Sequence, residues 1–187
     1  MADTINNMTI RIFYVLVAIF ICLLSFCYDS SADTQVYFSP NGGCQDAIIT
    51  ELSKAQKTVD IAMYYLTSRE IAQELVKAKD RGVKVRIVLD QSQETQTYSK
   101  SRYLIKRGFE VKYHVGSGIM HNKFAIFDGK VLITGSFNWT PTANEKNEEN
   151  LLIMADNDLI KKYQDRFEYL WEHSRKGELR EGQEVEE

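Results

Sequence analysis

Residues 121–129, His-Asn-Lys-Phe-Ala-Ile-Phe-Asp-Gly, leave the chain little conformational choice. Phe124 to Phe127 form a short apolar run of the kind that fills a buried strand. Asp128-Gly129 is a tight-turn pair, and residues 131–134 resume a β-forming run, so the segment predicts a hairpin. Strand alternation sets His121 and Lys123 on one face with Asn122 on the other. Ser136 and Asn138, within Gly135-Ser136-Phe137-Asn138-Trp139, are also two residues apart and share a face. An imidazole, a fixed positive charge, a hydroxyl and an amide are thus offered together. That set suits a tetrahedral anion such as a phosphodiester, whose charge must be stabilised while one bond to phosphorus is exchanged.

The remaining periodicities frame this segment. A strand over 35–38 is ended by Ser39-Pro40-Asn41-Gly42-Gly43, and a helix follows over 47–55. Residues 58–65 alternate, with Val59, Ile61, Met63 and Tyr65 on one face. Thr67 or Ser68 caps a helix that stops at Arg81-Gly82. A strand over 83–89 ends at Asp90, and a polar loop over 91–97 precedes a short helix halted at Gly108. A brief strand over 109–113, the hairpin, a last strand over 150–155 and a final amphipathic helix capped by Asp156 or Asn157 complete the chain. Strands alternate with helices early and pair as a hairpin late. The predicted class is α/β, a mixed β-sheet flanked by helices.

At 187 residues the chain suffices for one domain with a real core. The net charge of −3 gives no support to nucleic-acid binding, but the charges are unevenly placed. Acids crowd residues 176–187, which reads as a solvated tail. Bases crowd residues 77–112, either as a surface that tracks a phosphate backbone or as ordinary solvated helix faces.

Residues 12–28 carry no charge and are mostly apolar, with Arg11 before them and Ser30-Ser31-Ala32 after. This is the layout of a secretory signal over 1–32 with cleavage after Ala32, and predicts a periplasmic or secreted protein. The other reading is an uncleaved membrane anchor. Cleavage would remove Cys22 and Cys27 and leave Cys44 alone, with no intrachain disulfide. Three His and three Cys never approach zinc-ligand spacing, so no metal site is expected.

His121-x-Lys123-x4-Asp128 followed by Gly135-Ser136-x-Asn138, with Glu149-Asn150 downstream, resembles the signature of the phospholipase D superfamily. The domain over 33–175 is similar to the small bacterial Nuc-type endonucleases, which carry one copy of the motif. The resemblance implies a two-step displacement without a cofactor. His121 attacks phosphorus to form a phosphohistidine, and a second His protonates the leaving oxygen and then activates water. An imidazole is nucleophilic near neutral pH without a metal, and can serve as acid in one step and base in the next. The chain has one motif histidine, so the resemblance implies a symmetric homodimer with a site built from both His121 residues. Lys123, Ser136 and Asn138 are then expected on the substrate phosphate, and Glu149 behind the nucleophile's Nδ1–H. Asp128 completes the catalytic motif, but as the residue that holds the lysine-bearing strand and turn.

His114 and His173 lack the motif and read as structural or surface residues, and Trp139 and Tyr65 as buried aromatics or base-stacking platforms. Three functions fit. The first is a nucleic-acid endonuclease. The second is a phospholipase or cardiolipin hydrolase at a membrane. The third is a non-catalytic nucleic-acid-binding module, which retention of all the polar site residues argues against.

Overall fold

The computed structural model describes residues 34–179. The expected signal segment therefore lies outside the described residues, as does most of the acidic tail. Eight strands form one sheet: β1 (Gln35–Ser39), β2 (Thr58–Met63), β3 (Lys84–Asp90), β4 (Glu110–His114), β5 (Lys123–Phe127), β6 (Val131–Gly135), β7 (Glu149–Met154) and β8 (Ser174–Lys176). Their order is β1-β7-β6-β5-β2-β3-β4-β8. Between β1 and β4 the chain forms α1 (Cys44–Lys54), α2 (Arg69–Asp80), a 3-10 turn (Gln91–Glu94) and α3 (Ser101–Lys106). After β6 come α4 (Pro141–Glu145) and, beyond β7, α5 (Asn157–Glu172).

β2 is the seam of the sheet. It pairs in parallel with β3, which pairs in parallel with β4, as helical crossovers require. On its other side β2 pairs antiparallel with β5, and from there to β1 every pairing is antiparallel. The sheet is mixed and flanked by helices, as the alternation of elements predicts.

Strand alternation divides the core. Val59, Ile61, Ala125, Phe127 and Ile133 face the larger cluster with α1 and α2. Ala62, Val88, Phe124, Ile126 and Leu132 face Ile160, Phe167 and Leu170 of α5. Every residue of β5 is buried, as its unbroken apolar run demands. Under α5, the Arg86 guanidinium forks onto both Asp60 oxygens at 2.7 Å and onto Glu168, and lies over the rings of Phe167 and Trp171.

Helix starts follow their caps. Ser68 accepts from the Ile71 N–H and Asp156 from the Leu159 N–H, which settles both alternative capping positions. Three expectations shift. The strand over 58–65 ends at Met63, because the Tyr65 N–H turns to Asn138 Oδ1 and the Tyr65 carbonyl accepts from Trp139. The polar loop over 91–97 contains the 3-10 turn. Lys176 ends β8 and Gly177 is buried against Ile105 and Tyr113, so the folded part runs past residue 175. Among the described residues, no helix is long and apolar enough to cross a membrane.

Candidate active site

The start of β5, the end of β6 and the start of β7 meet at one end of the sheet's strands. His121, Lys123, Gly135, Ser136, Asn138 and Glu149 line an open pocket of about 410 Å³ there. The hairpin is what brings them together. Asp128 and Gly129 sit at φ 54° and 65°, conformations that favour Asp, Asn and Gly. The turn lays β6 beside β5 and returns Ser136 to the end at which Lys123 began.

His121 precedes the strand and is exposed, whereas Lys123 is its first residue and 8% exposed. The two line one pocket, as alternation predicts, but at different depths. The Lys123 ammonium donates to the His121 carbonyl at 3.0 Å and lies 5.0 Å from the centre of the Tyr64 ring. Burial pushes its pKa below the ordinary lysine value, and the Glu149 carboxylate pulls it back up. The result is a desolvated positive charge aimed into the pocket, where it acts on an anion more strongly than in water.

Gly135 is required by close approach, since a Cβ there would run into the Asn150 carbonyl oxygen. This contact lets the Ser136 N–H reach Asn150 Oδ1 at 2.7 Å while Ser136 Oγ accepts from the Asn150 N–H at 3.0 Å. The serine hydroxyl keeps its own hydrogen to donate. Asn138 Oδ1 accepts from the Tyr65 N–H, and its Nδ2 has no partner among the described residues. Glu149 accepts from Asn147 Nδ2 at 3.0 Å, and no hydrogen bond joins it to His121 among the described residues. The pocket thus holds one imidazole, one ammonium, two neutral donors and one carboxylate. Among the described residues, no three His, Cys, Asp or Glu side chains converge as a ligand set would.

Asp128, the last member of the motif, is not in the pocket. It occupies the opposite end of β5, where its carboxylate accepts from the N–H groups of Gln56, Lys57 and Thr58 at 2.9, 2.7 and 2.9 Å. Burial would raise this carboxyl, but the three backbone donors and Lys130 outweigh it and hold the pKa below its ordinary value. It belongs with the catalytic side chains in the motif only; in the structure it stands apart from them, in the holding role expected of it. It holds β5 to the entry of β2 and touches nothing that reacts.

Two residues at the site escape a reading of the sequence. Tyr64 places its ring edge-on to His121, with centroids 4.5 Å apart, and so fixes the imidazole plane. The Tyr65 hydroxyl, with burial, pushes the Tyr64 hydroxyl up to about 12, so the phenol stays neutral. Asp90, 1% exposed, accepts from the Met120 N–H at 2.8 Å and from the Ser92 N–H. It therefore clamps the backbone immediately before His121. Burial raises the Asp90 carboxyl, but the Ser92 and Met120 donors and nearby His114 bring it below the ordinary range. An acid ending a buried run was the available signal. His114 lies outside the pocket, half-buried at the end of β4, and His173 is exposed on its α5 carbonyl, Tyr169. Trp139 is fully buried.

The family described as "Cardiolipin synthase, PLD-like domain" matches residues 48–171. The chain belongs to the phospholipase D superfamily. It is 37% identical over 134 residues to a phospholipase D of Rickettsia conorii, covering 72% of this chain and 67% of that protein. A mitochondrial cardiolipin hydrolase of Xenopus tropicalis is 36% identical over 121 residues, 65% of this chain and 58% of the relative. Among solved structures, Nuc of Salmonella typhimurium, a phospholipase D family member, superposes with a TM-score of 0.75 at 28% identity, covering 80% of this chain and all of that one. NucT from Helicobacter pylori gives 0.74 at 28% identity, covering 79% and 100%. As a member of the phospholipase D superfamily the chain is a hydrolase of phosphodiester bonds, and the pocket has the groups such a reaction uses.

Proposed function

We propose that the protein is a metal-independent endonuclease that cleaves nucleic acid, DNA foremost, through a phosphohistidine on His121 at a site shared by two copies of the chain. The observation that carries this reading is the pocket's single imidazole beside a buried ammonium. A phosphodiester entering it would set its non-bridging oxygens against Lys123, Ser136 Oγ and Asn138 Nδ2. His121 attacks phosphorus while the leaving oxygen takes a proton, and water then breaks the phosphorus–nitrogen bond. One imidazole cannot be nucleophile and acid in the same step. The second is the His121 of a second copy, brought to the open pocket across a two-fold axis. The two rings then titrate as a pair. Likeness over the whole length of Nuc and NucT supports nucleic acid as substrate. The apolar run over 12–28 supports export of this activity from the cytoplasm.

A phospholipid diester is the second reading, favoured by the names of the curated relatives and by exposed Ile119 two residues before His121. The test incubates parent and His121→Ala protein with DNA, RNA and cardiolipin vesicles in excess chelator. Nucleic-acid cleavage by the parent alone is expected. Loss of parental activity in chelator would refute the phosphohistidine route, and turnover of lipid alone would move the assignment to the second reading. Co-refolding the two proteins at equal amounts tests the shared site. About a quarter of full activity is expected if both imidazoles are needed, and about half if each copy works alone.

A further inference from the structure

Beside the catalytic pocket, and sharing Asn138 with it, lies a second open cleft of about 580 Å³. Tyr65, Thr67, Gln96, Tyr98 and Asn147 line it with Asn138, and no charged side chain does. Its chemistry is amides, hydroxyls and aromatic faces. Acyl chains gain nothing from amides that they cover and leave unpaired. A planar heterocycle with donor and acceptor edges uses both the rings and the amides. The cleft is tied to the catalytic pocket twice. Asn138 spans the two, and Asn147 donates to the Glu149 carboxylate.

Beyond the cleft is a small notch of about 110 Å³ lined by Arg69, Lys100, Tyr103 and Arg107. None of its three cations forms an ion pair among the described residues. Cleft and notch adjoin, because Thr67 and Arg69 are two residues apart, as are Tyr98 and Lys100. The Lys100 N–H donates to the Leu66 carbonyl at 3.0 Å and locks the two segments side by side. An anion pocket, an uncharged aromatic cleft and a cationic notch thus follow one another through shared or neighbouring residues.

We propose that the cleft holds the base next to the scissile phosphate, stacked on Tyr98 and Tyr65, and that the notch holds the next phosphate of the same strand. This rests on the endonuclease reading above. A base lodged between tyrosines cannot be paired, so the track selects single-stranded nucleic acid, or strands whose ends have opened.

The test compares three substrates: bis(4-nitrophenyl) phosphate, which carries one phosphate and no base, a short single-stranded oligodeoxynucleotide and the same sequence as duplex. The variants are Tyr98→Ala and the triple Arg69→Gln, Lys100→Gln, Arg107→Gln. Tyr98 is 76% exposed, so folding should not depend on it, and melting curves check each variant. The parent is expected to prefer the single strand. Tyr98→Ala should lower kcat/KM on it by about 10- to 100-fold, the loss of one base stack, mostly through KM. The triple variant should lower kcat/KM and flatten its salt dependence. Both should hydrolyse the small diester within about twofold of the parent. Parent-like cleavage of the single strand by both variants would overturn the track and leave the endonuclease reading intact, as would equal losses on all three substrates. A parent that hydrolyses the small diester or cardiolipin vesicles but no nucleic acid would overturn both.

Discussion

Replacing Asp128 separates its place in the motif from its place in the structure. The carboxylate carries three backbone hydrogen bonds, two at exposed N–H groups and one at the part-buried Thr58 N–H. Bonds to a charged group are worth about 1.5–3 kcal/mol when shielded and about 0.5–1 kcal/mol where water can replace the acceptor. Asp128→Ala also puts a residue without a side-chain acceptor at φ 54°, at a further cost of about 1 kcal/mol. The sum is about 3.5–6 kcal/mol, or roughly 7–24 °C in Tm for a domain of this size. Asp128→Asn keeps one carbonyl oxygen and tolerance of that backbone, and should cost about 1–2 kcal/mol. The folded pKa is depressed, so the stabilisation is complete above the unfolded value of about 3.9 and is lost as pH falls through the folded value. Urea titrations of parent and Asp128→Asn should therefore differ most near neutrality and converge in acid. Well below its own Tm, each variant should hydrolyse bis(4-nitrophenyl) phosphate within about threefold of the parent, since Asp128 lies at the far end of β5. An Asn variant with unaltered stability and activity lost by more than about 100-fold would refute this reasoning, because only contact with the reaction gives that pattern.

Lys123→Met fits the same space without the charge and should lower kcat/KM by about 10²- to 10³-fold with a parent-like urea midpoint. Gly135→Ala must displace the Asn150 carbonyl, so it should lose about 2–4 kcal/mol in urea titration and most of its activity. Arg86→Met strands the buried Asp60 carboxylate and should cost about 3–5 kcal/mol at pH 7, read by denaturant titration. Asp60→Asn in the same chain should recover part of that loss.

What could be read from the sequence was what depends on near neighbours. The apolar run of β5 and the Asp128-Gly129 turn predicted a hairpin that is present, and the 3.6-residue stripe of Ile160, Phe167 and Leu170 predicted α5. The elements that escaped depend on distant partners. β8 reads Ser-Arg-Lys, with no apolar residue to mark it, and exists because its backbone pairs with β4 while Arg175 meets Glu94 and the Tyr113 ring. α4 is five residues long, and only its Thr140-Pro141 start signals it. The site divides the same way. His121, Lys123, Ser136 and Asn138 were recognisable by spacing and Glu149 through the resemblance, and all five meet in one pocket. The Asp90 hold on Met120 joins segments 30 residues apart, and the local pattern shows only an acid at the end of a buried run.

The seam at β2 has a consequence for how the chain acquires its shape. The parallel half, β2 to β4, is assembled from neighbouring βα units and can close early during synthesis. β1 waits, because its partner is β7 and Gln35 meets Ile153. Until then the β1 backbone has no strand to pair with, and contacts of such long range are slow to form. The pocket is built from strands on the late side of the seam, so competence for catalysis comes near the end of folding. A ribosome-stalled chain ending before β7 should hold a folded parallel half and no hydrolase.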